Sequence, residues 1–286
     1  VVAVRYSYYP GCSLTAAAAE YDLSLRRVCA ALDVDLTELP DWNCCGATPA
    51  ARVSTALALA LSARNLALAQ HAGLDLMVPC AACYNRLRRA EHALASEGPQ
   101  RRNLEEMLNF RYTGEVKVVS ALEAVCRMGL RAIADRVRRP LEGLQVACYY
   151  GCLLVRPPEI VAFDDEESPV LLDQLMLALG ATPVEWAYKT DCCGAGLALT
   201  RPETAQRLVD RLLAAAAEAG AEAVVTACNQ CQINLETRRA AASPPLPVFY
   251  FTELTGLAMG APGTGDWFRR HLVDPLPLLR RLRLAG

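Results

Sequence analysis

No stretch of this chain is apolar for long enough to cross a bilayer. Its longest hydrophobic runs are alanine-rich and broken by Arg, Asp or Gln, so no membrane-spanning helix is expected. Nor does Val1-Val2-Ala3-Val4-Arg5-Tyr6 have the charged-then-apolar layout of a secretory leader; it reads as a first strand. Charge of either sign is not in excess. A formal net charge of −2 leaves no electrostatic reason to expect nucleic acid as a partner. No Gly-x-Gly-x-x-Gly occurs, so nicotinamide or flavin would belong to partner proteins. Histidine is scarce: His71, His92 and His271 share no metal-like spacing, and solvated or capping roles are expected for all three.

What the chain does have is cysteine, thirteen in 286 residues. Such density in a short secreted protein would signal disulfides. Here 53% of the residues are hydrophobic, enough to build cores without covalent staples. The count is odd and the first residues read as a strand rather than a leader, so metal or redox chemistry in a reducing cytoplasm is expected.

Read in order, the chain alternates strand and helix. Val2–Tyr8 is a strand that turns at Pro10-Gly11-Cys12, and Tyr21–Leu32 is an amphipathic helix. Val34–Leu39 is a strand leading to Asn43-Cys44-Cys45-Gly46-Ala47. One long helix is expected from Thr48-Pro49 to about Gln70, with Thr48 as cap and Gly73 as stop. A strand at Leu74–Val78 ends in Pro79-Cys80-Ala81-Ala82-Cys83, a helix starts near Tyr84, and Glu115–Val119 is a strand. The plan then restarts. Val146–Tyr150 ends at Gly151-Cys152, Leu171–Leu179 is a helix, and Thr182–Trp186 is a strand before Cys192-Cys193-Gly194-Ala195. Thr200-Arg201-Pro202-Glu203 has capping-box form before a long helix. A strand at Ala223–Thr226, Cys228-Asn229-Gln230-Cys231 and a strand at Val248–Phe251 complete the set. Asp164–Glu167 reads as a solvated loop.

The fold expected is α/β: two pseudo-repeated Rossmann-like domains, 1–140 and 141–286, each a small parallel sheet flanked by helices. Every motif cysteine falls at the carboxyl end of a strand, where such sheets bind ligands.

Aligned, the halves present Cys12, Cys44, Cys45, Cys80, Cys83 and Cys152, Cys192, Cys193, Cys228, Cys231. In both, 35 residues separate the second cysteine of the pair from the Cys-x-x-Cys, an equality that core-filling cysteines have no reason to keep. Adjacent cysteines make a strained disulfide but can hold neighbouring irons of one cluster. Five thiols exceed the four of a tetrahedral zinc or a cubane cluster. Either one is spare in each half or the cluster is not a simple cubane; zinc at one Cys-x-x-Cys is the competing metal.

The combination of Tyr9-Pro10-Gly11-Cys12, Asn43-Cys44-Cys45-Gly46, Pro79-Cys80-Ala81-Ala82-Cys83, Tyr149-Tyr150-Gly151-Cys152, Asp191-Cys192-Cys193-Gly194-Ala195-Gly196 and Cys228-Asn229-Gln230-Cys231 resembles the duplicated cysteine-rich (CCG) domains of the B subunit of CoB–CoM heterodisulfide reductase. The likeness extends over almost the whole chain, including Phe251-Thr252-Glu253-Leu254. It implies a noncubane [4Fe-4S] cluster in each half, held by that half's five cysteines, with a disulfide bound and cleaved, or formed, between the two clusters. It implies an oxidoreductase that works within a complex of several subunits. A ferredoxin-like iron–sulfur partner, of the type of that enzyme's C subunit, would supply the electrons, with a flavin-containing partner behind it. The location implied is cytoplasmic, at most peripheral to a membrane complex. Related duplicated domains in dehydrogenase and oxidase complexes provide the alternative, a non-catalytic electron-transfer or anchoring subunit. Tyr149 stands where methanogenic members tend to carry histidine; Tyr149 and Tyr150 are the candidate proton donors.

Cys29, Cys126 and Cys148 lie outside the repeat and are expected to pack in the core. The segment from Trp267-Phe268-Arg269-Arg270-His271 to Arg280-Arg281-Leu282-Arg283 is aromatic and basic. A solvated terminal helix or coil is expected there, with a docking surface as the alternative.

Overall fold

Short apolar strands alternating with helices force parallel pairing, because each return crossover brings the next strand back in the same direction. The computed structural model, which describes residues 4–47 and 49–285, shows this twice. The first half runs β1 (Val4–Tyr8), α1 (Gly11–Leu14), α2 (Ala19–Ala31), β2 (Val34–Glu38), α3 (Pro49–Val53), α4 (Thr55–Ala72), β3 (Leu76–Val78), α5 (Ala81–Ala95), α6 (Pro99–Leu108), β4 (Val118–Ser120), α7 (Ala121–Cys126) and α8 (Leu130–Ala134). The second runs β5 (Gln145–Tyr149), α9 (Cys152–Val155), α10 (Pro158–Val161), α11 (Leu171–Ala178), β6 (Thr182–Pro183), a 3₁₀ turn (Ala195–Leu197), α12 (Pro202–Glu218), β7 (Ala223–Thr226), α13 (Asn229–Thr237), β8 (Val248–Tyr250), α14 (Phe251–Ala258), α15 (Thr264–Phe268) and α16 (Leu276–Arg281).

The two sheets have one topology, β2-β1-β3-β4 and β6-β5-β7-β8, with every strand pair parallel. Strands β3, β4, β7 and β8 are buried along their whole length, as expected for sheets covered on both faces. In each sheet the winding direction reverses between the first and third strands. Cys12 and Cys80 follow the strands on either side of that reversal in one half, and Cys152 and Cys228 in the other. A crevice opens at such a point because neighbouring loops leave in opposite directions.

The halves interlock. The helix that follows the last strand of each half packs on the helix that follows the first strand of the other: α14 on α2, and α7 on α11. At the first of these contacts Tyr21 stacks on Tyr250 with ring centroids 4.2 Å apart, and the Ser24 and Thr252 hydroxyls meet at 2.7 Å.

Several expectations are corrected. The single long helix is broken in two: Ser54 is extended, and its Oγ accepts the Leu57 N–H at 3.2 Å to cap α4. The break lets both pieces close on Gly46, whose missing Cβ would lie 3.2 Å from Ala58 Cα and 3.3 Å from Ala50 Cβ. The expected cap at Thr48 lies outside the described residues. Arg201, not Thr200, precedes α12, and no side chain caps that helix. Helix α5 begins at Ala81 rather than Tyr84, so Cys83 sits in its first turn. Asp164, expected only to be solvated, accepts the N–H groups of Val170 and Leu171, both at 2.9 Å, at the start of α11.

The C-terminal segment is neither a solvated tail nor a docking surface through its aromatics. Trp267 and Phe268 are buried, with α15 seated on α2 and α14. Gly256 makes room for this, because a Cβ there would come within 2.9 Å of the Trp267 ring. His271 is likewise not solvated. Its ring is buried between Glu236 (Nδ1 to Oε1, 3.1 Å) and Glu253 (Nε2 to Oε1, 2.9 Å). Burial alone would lower its pKa, but the two carboxylates outweigh it and push the imidazole up to about 10. His71 and His92 are not buried in this way, and Cys29, Cys126 and Cys148 are buried as expected.

Candidate iron–sulfur centres

Each half gathers its five cysteines beyond the strand ends. In the first, the Cys45 and Cys83 sulfurs are 3.2 Å apart, Cys83 also contacts Cys80, and Cys44 contacts Cys45. In the second, the Cys193 and Cys231 sulfurs are 3.6 Å apart, Cys231 also contacts Cys228, and Cys152 contacts Cys192. The adjacent pairs divide their roles in the same way. Cys45 and Cys193 are buried, whereas Cys44 and Cys192 are exposed. The glycine after each pair turns its N–H onto the exposed sulfur, Gly46 to Cys44 at 3.5 Å and Gly194 to Cys192 at 3.3 Å.

Glycine is required at two further equivalent places. Gly11 and Gly151 have φ of +69° and +68°, and a Cβ on them would stand 3.2 Å from Cys83 Sγ and 3.0 Å from Cys231 Sγ. The turn after the first strand of each half thus presses backbone against the sulfur cradle.

Hydrogen bonds lock the segments that carry the cysteine pairs. Tyr9 OH donates to Asn43 O at 2.9 Å, and Tyr149 OH donates to Asp191 O at 2.6 Å, so equivalent tyrosines hold the residue before each pair. In the first half Asn65 exchanges bonds with the Asn43 backbone, and Ser62 Oγ donates to Cys45 O at 2.9 Å. In the second, Asn234 Nδ2 donates to Cys193 O at 2.6 Å. Sequence reasoning missed Tyr9, Ser62, Asn65 and Asn234. For Tyr9 a signal existed: like Tyr149, it stands three residues before the first cysteine of its half. The candidate Tyr150 donates to Asp173 Oδ2 at 2.6 Å, and Asp173 is paired with Lys189 at 2.8 Å.

The electrostatics divide the thiols. Contacts with Cys44 and Cys83, the Ala47 N–H and the charge of Arg86 overcome burial and bring Cys45 down to about 3. Contact with Cys152 and the Gly194 N–H bring Cys192 down to about 6. Cys228 is lowered by Cys231 and by the N–H groups of Cys231, Gln230 and Ala81. Contacts with partner sulfurs and burial push Cys83 and Cys231 up. Each set therefore holds a ready thiolate beside thiols that ionise only when a cation replaces the proton. Two of the amides that reach Cys228 belong to the start of α13, so that helix brings its N-terminus to the sulfurs.

The two sets adjoin. The Ala81 N–H that reaches Cys228 belongs to the other half. The buried Tyr21 OH donates to Ala227 O at 3.1 Å with Pro79 O at 3.4 Å, touching the residue before each Cys-x-x-Cys. All five cysteines of the second set line one cavity of about 70 Å³ that is closed by Ala81 and Tyr150.

Among the described residues no three Cys, His, Asp or Glu side chains are arranged to hold a single metal ion. The sulfurs form strings of pairwise contacts rather than a shell around one point. An all-sulfur donor set spread in this way, on a cradle that only glycine allows, suits an iron–sulfur cluster better than a tetrahedral zinc.

The chain is 30% identical over 281 residues, 96% of its length and 99% of the relative's, to the 8-methylmenaquinol:fumarate reductase membrane anchor subunit of Wolinella succinogenes. It is 29% identical to a protein of Archaeoglobus profundus described as like the heterodisulfide reductase B subunit, over 90% of this chain and 91% of that one. It is 30% identical, over 80% of each chain, to the B subunit of the ferredoxin/F(420)H(2)-dependent CoB-CoM heterodisulfide reductase of Methanosarcina acetivorans. In fold it is similar to the crystal structure of a hypothetical protein from Helicobacter pylori. That match has a TM-score of 0.73 and 13% identity over 94% of this chain, which spans about half (52%) of that structure. The profile of the cysteine-rich CCG domain matches residues 6–88 and again 146–236, and the chain belongs to this family, carrying its domain twice.

Proposed function

We propose that this protein is the two-cluster redox subunit within a larger complex, reducing or forming a disulfide in the manner of the heterodisulfide reductase B subunit. The two units, 1–140 and 141–286, each hold one [4Fe-4S] cluster of noncubane type through their five cysteines. The observation that carries the reading is the abutment of the two equivalent sets: Ala81, next to Cys80, lines the cavity formed by the five cysteines of the other half, and Tyr21 OH meets the carbonyls that precede both Cys-x-x-Cys segments. Reducing R–S–S–R′ to two thiols takes two electrons and two protons, and iron–sulfur clusters supply electrons one at a time, so one substrate needs two centres close together.

The chain's own residues do the positioning. Gly11 and Gly151 let the backbone close on the sulfurs, and Tyr9 and Tyr149 fix the cysteine pairs. Of the two candidate tyrosines, Tyr149 gives its hydroxyl hydrogen to Asp191 O. Tyr150 lines the second cavity and connects through Asp173 to Lys189, which makes it the better placed to pass a proton. Electrons would arrive from a ferredoxin-like partner and, behind it, a flavin-containing one. The free thiols suit a cytoplasmic setting.

A second reading is favoured by the match to nearly the full length of the Wolinella succinogenes relative: electron transfer or anchoring within a dehydrogenase or reductase complex. Among the described residues no helix is long and apolar enough to cross a membrane.

Anaerobically purified protein should hold about eight irons per chain. Thiol release from a panel of small disulfides, driven by an artificial reductant, tests the chemistry. No turnover at full iron content would reject disulfide reduction and leave the relay.

A further inference from the structure

One side of α5 carries more positive charge than its surroundings neutralise. Two cavities adjoin along it, with His92 and Ile160 in the walls of both. The larger, of about 380 Å³, includes Arg88, Glu91, Arg101, Lys117 and Glu159; the other, of about 310 Å³, includes Arg86 and Arg89. Arg88 pairs with Glu91, and Arg101 pairs with the buried Glu105 at 3.0 Å. Among the described residues no carboxylate pairs with Arg86, Arg89 or Lys117, and no cation pairs with Glu159. Unmatched cations thus outnumber unmatched carboxylates in this groove, on a chain whose formal net charge is −2. Like charges held together repel, and an anionic partner is what offsets that repulsion.

The groove backs onto the N-terminal centre. Its wall includes Ala58 of α4, whose Cα leaves no room for a side chain at Gly46, next to Cys45. Arg86 follows Cys83 on α5 by about one helical turn, and its charge helps to lower the Cys45 thiol. No cysteine of the second set lines either cavity. Val53 and Leu57 flank the lining residue Thr55 along the chain and are 81% and 47% exposed. Apolar side chains left in water beside a charged rim have the make-up of a surface that another protein covers.

We propose that this groove docks the protein that supplies the electrons, an iron–sulfur partner with an acidic face, and that electrons enter the chain at the N-terminal centre. The inference rests on the cluster reading above. Each transfer oxidises the partner's cluster by one electron and reduces the N-terminal centre by one; no bond is made or broken. The basic groove steers and orients the acidic face, and does so less as salt screens the charges. The C-terminal centre is then filled from the N-terminal one, across the contact of Ala81 with the second set.

The test is reduction of the full iron-loaded chain by a prereduced, acidic ferredoxin with two [4Fe-4S] clusters, followed by stopped flow at low and high salt. Freeze-quenched EPR shows which centre is reduced first, its signal assigned by loss in Cys80→Ser. In the double variant Arg89→Gln/Lys117→Gln the low-salt rate should fall about tenfold, the difference should close at high salt, and iron content and reduction by dithionite should stay as in wild type. Should the double variant lose iron, Lys117→Glu, at an exposed position, is read instead for a fall of the same sign. Arg280→Gln/Arg283→Gln removes the same charge from residues that line neither cavity and should leave the rate unchanged. Equal slowing by both pairs, no slowing by either, first reduction of the C-terminal centre, or no reduction of wild type by the ferredoxin would each overturn the proposal. So would saturable binding of inorganic phosphate that is lost in Arg89→Gln/Lys117→Gln while ferredoxin reduces that variant at the full rate, which would make the groove a small-anion site. A wild-type chain that binds no iron under anaerobic conditions would overturn the cluster reading itself.

Discussion

Ala81, in the first half, lies against Cys228, in the second: both line the cavity of the second cysteine set, and the Ala81 N–H is close enough to help lower the Cys228 thiol. This contact ties the two candidate centres to each other through the first residue of α5. The position is unusually convenient to test, because the first residue of a helix tolerates proline, whose missing N–H has no intrahelical role there. The preceding residue must then be extended, and Cys80, at φ −78° and ψ 118°, already is. Ala81→Pro should fold and bind its usual iron, and the C-terminal potential should fall by some tens of millivolts. That follows from a charge-assisted bond worth about 1.5–3 kcal/mol, part of which differs between oxidation states. Redox titration of the iron-loaded protein checks it, and an unchanged potential would mean that the contact carries no weight.

The paired tyrosines should not be equal. Tyr9 and Tyr149 both brace the residue before a cysteine pair, but Asn43 O has a second donor in Asn65 Nδ2 at 2.9 Å. Asp191 O has only Tyr149 among the bonds found in the described residues. Removing one hydroxyl should cost about 1–2 kcal/mol where nothing replaces it and less where a second donor remains. Thermal unfolding of the iron-loaded variants should therefore rank Tyr149→Phe below Tyr9→Phe, with wild type above both. The reverse order would contradict the bracing role.

Much of this architecture is legible from local spacing. The equal 35-residue interval from Cys45 to Cys80 and from Cys193 to Cys228 is filled alike in both halves, by a short helical turn, one long helix and one strand: α3, α4 and β3 in the first, the 3₁₀ turn, α12 and β7 in the second. What is not legible depends on contacts with no periodic trace. Ser54 looks like any polar residue inside an Ala/Leu run until its backbone is seen to be extended. Tyr21 reads as part of an amphipathic face, yet its hydroxyl reaches a carbonyl 206 residues away. His271 lacks metal-like neighbours in sequence because the carboxylates it meets are 35 and 18 residues distant. Asn229 is visible in the sequence only as a letter inside Cys-x-x-Cys; that its amide is buried and unpaired shows only in the fold.

The glycines that touch the sulfur cradle give a sharper prediction. At φ of +69° and +68°, alanine at Gly11 or Gly151 costs about 1–2 kcal/mol in backbone strain alone. The added methyl would also press on Cys83 Sγ at 3.2 Å or on Cys231 Sγ at 3.0 Å, and these backbone-anchored ligands have little room to retreat. Each substitution should lower bound iron to about half, emptying one centre and sparing the other, with Gly151→Ala the more severe. Iron analysis with the EPR signal of the remaining centre would show it. Full iron in both variants would mean that the cradle is looser than the backbone suggests.

The buried Glu236–His271–Glu253 contact makes stability depend on pH in a direction that can be worked out. The imidazole pKa is raised from 6.5 in the unfolded chain to about 10 in the folded one, so the folded state binds the proton more tightly. Its contribution is fully present below about pH 6.5 and is lost as pH rises toward 10. Above that, the neutral ring leaves two buried carboxylates without their cation, with Glu20 nearby and Arg270 as a further positive charge in the vicinity. The loss should amount to a few kcal/mol, an upper figure because burial of the pair has its own cost. Urea unfolding of the wild type between pH 6 and pH 10 should show midpoints that decline with pH. His271→Gln, which keeps a side chain able to hydrogen-bond but not to carry charge, should start lower and decline less. Parallel profiles for the two proteins would place the pH sensitivity elsewhere.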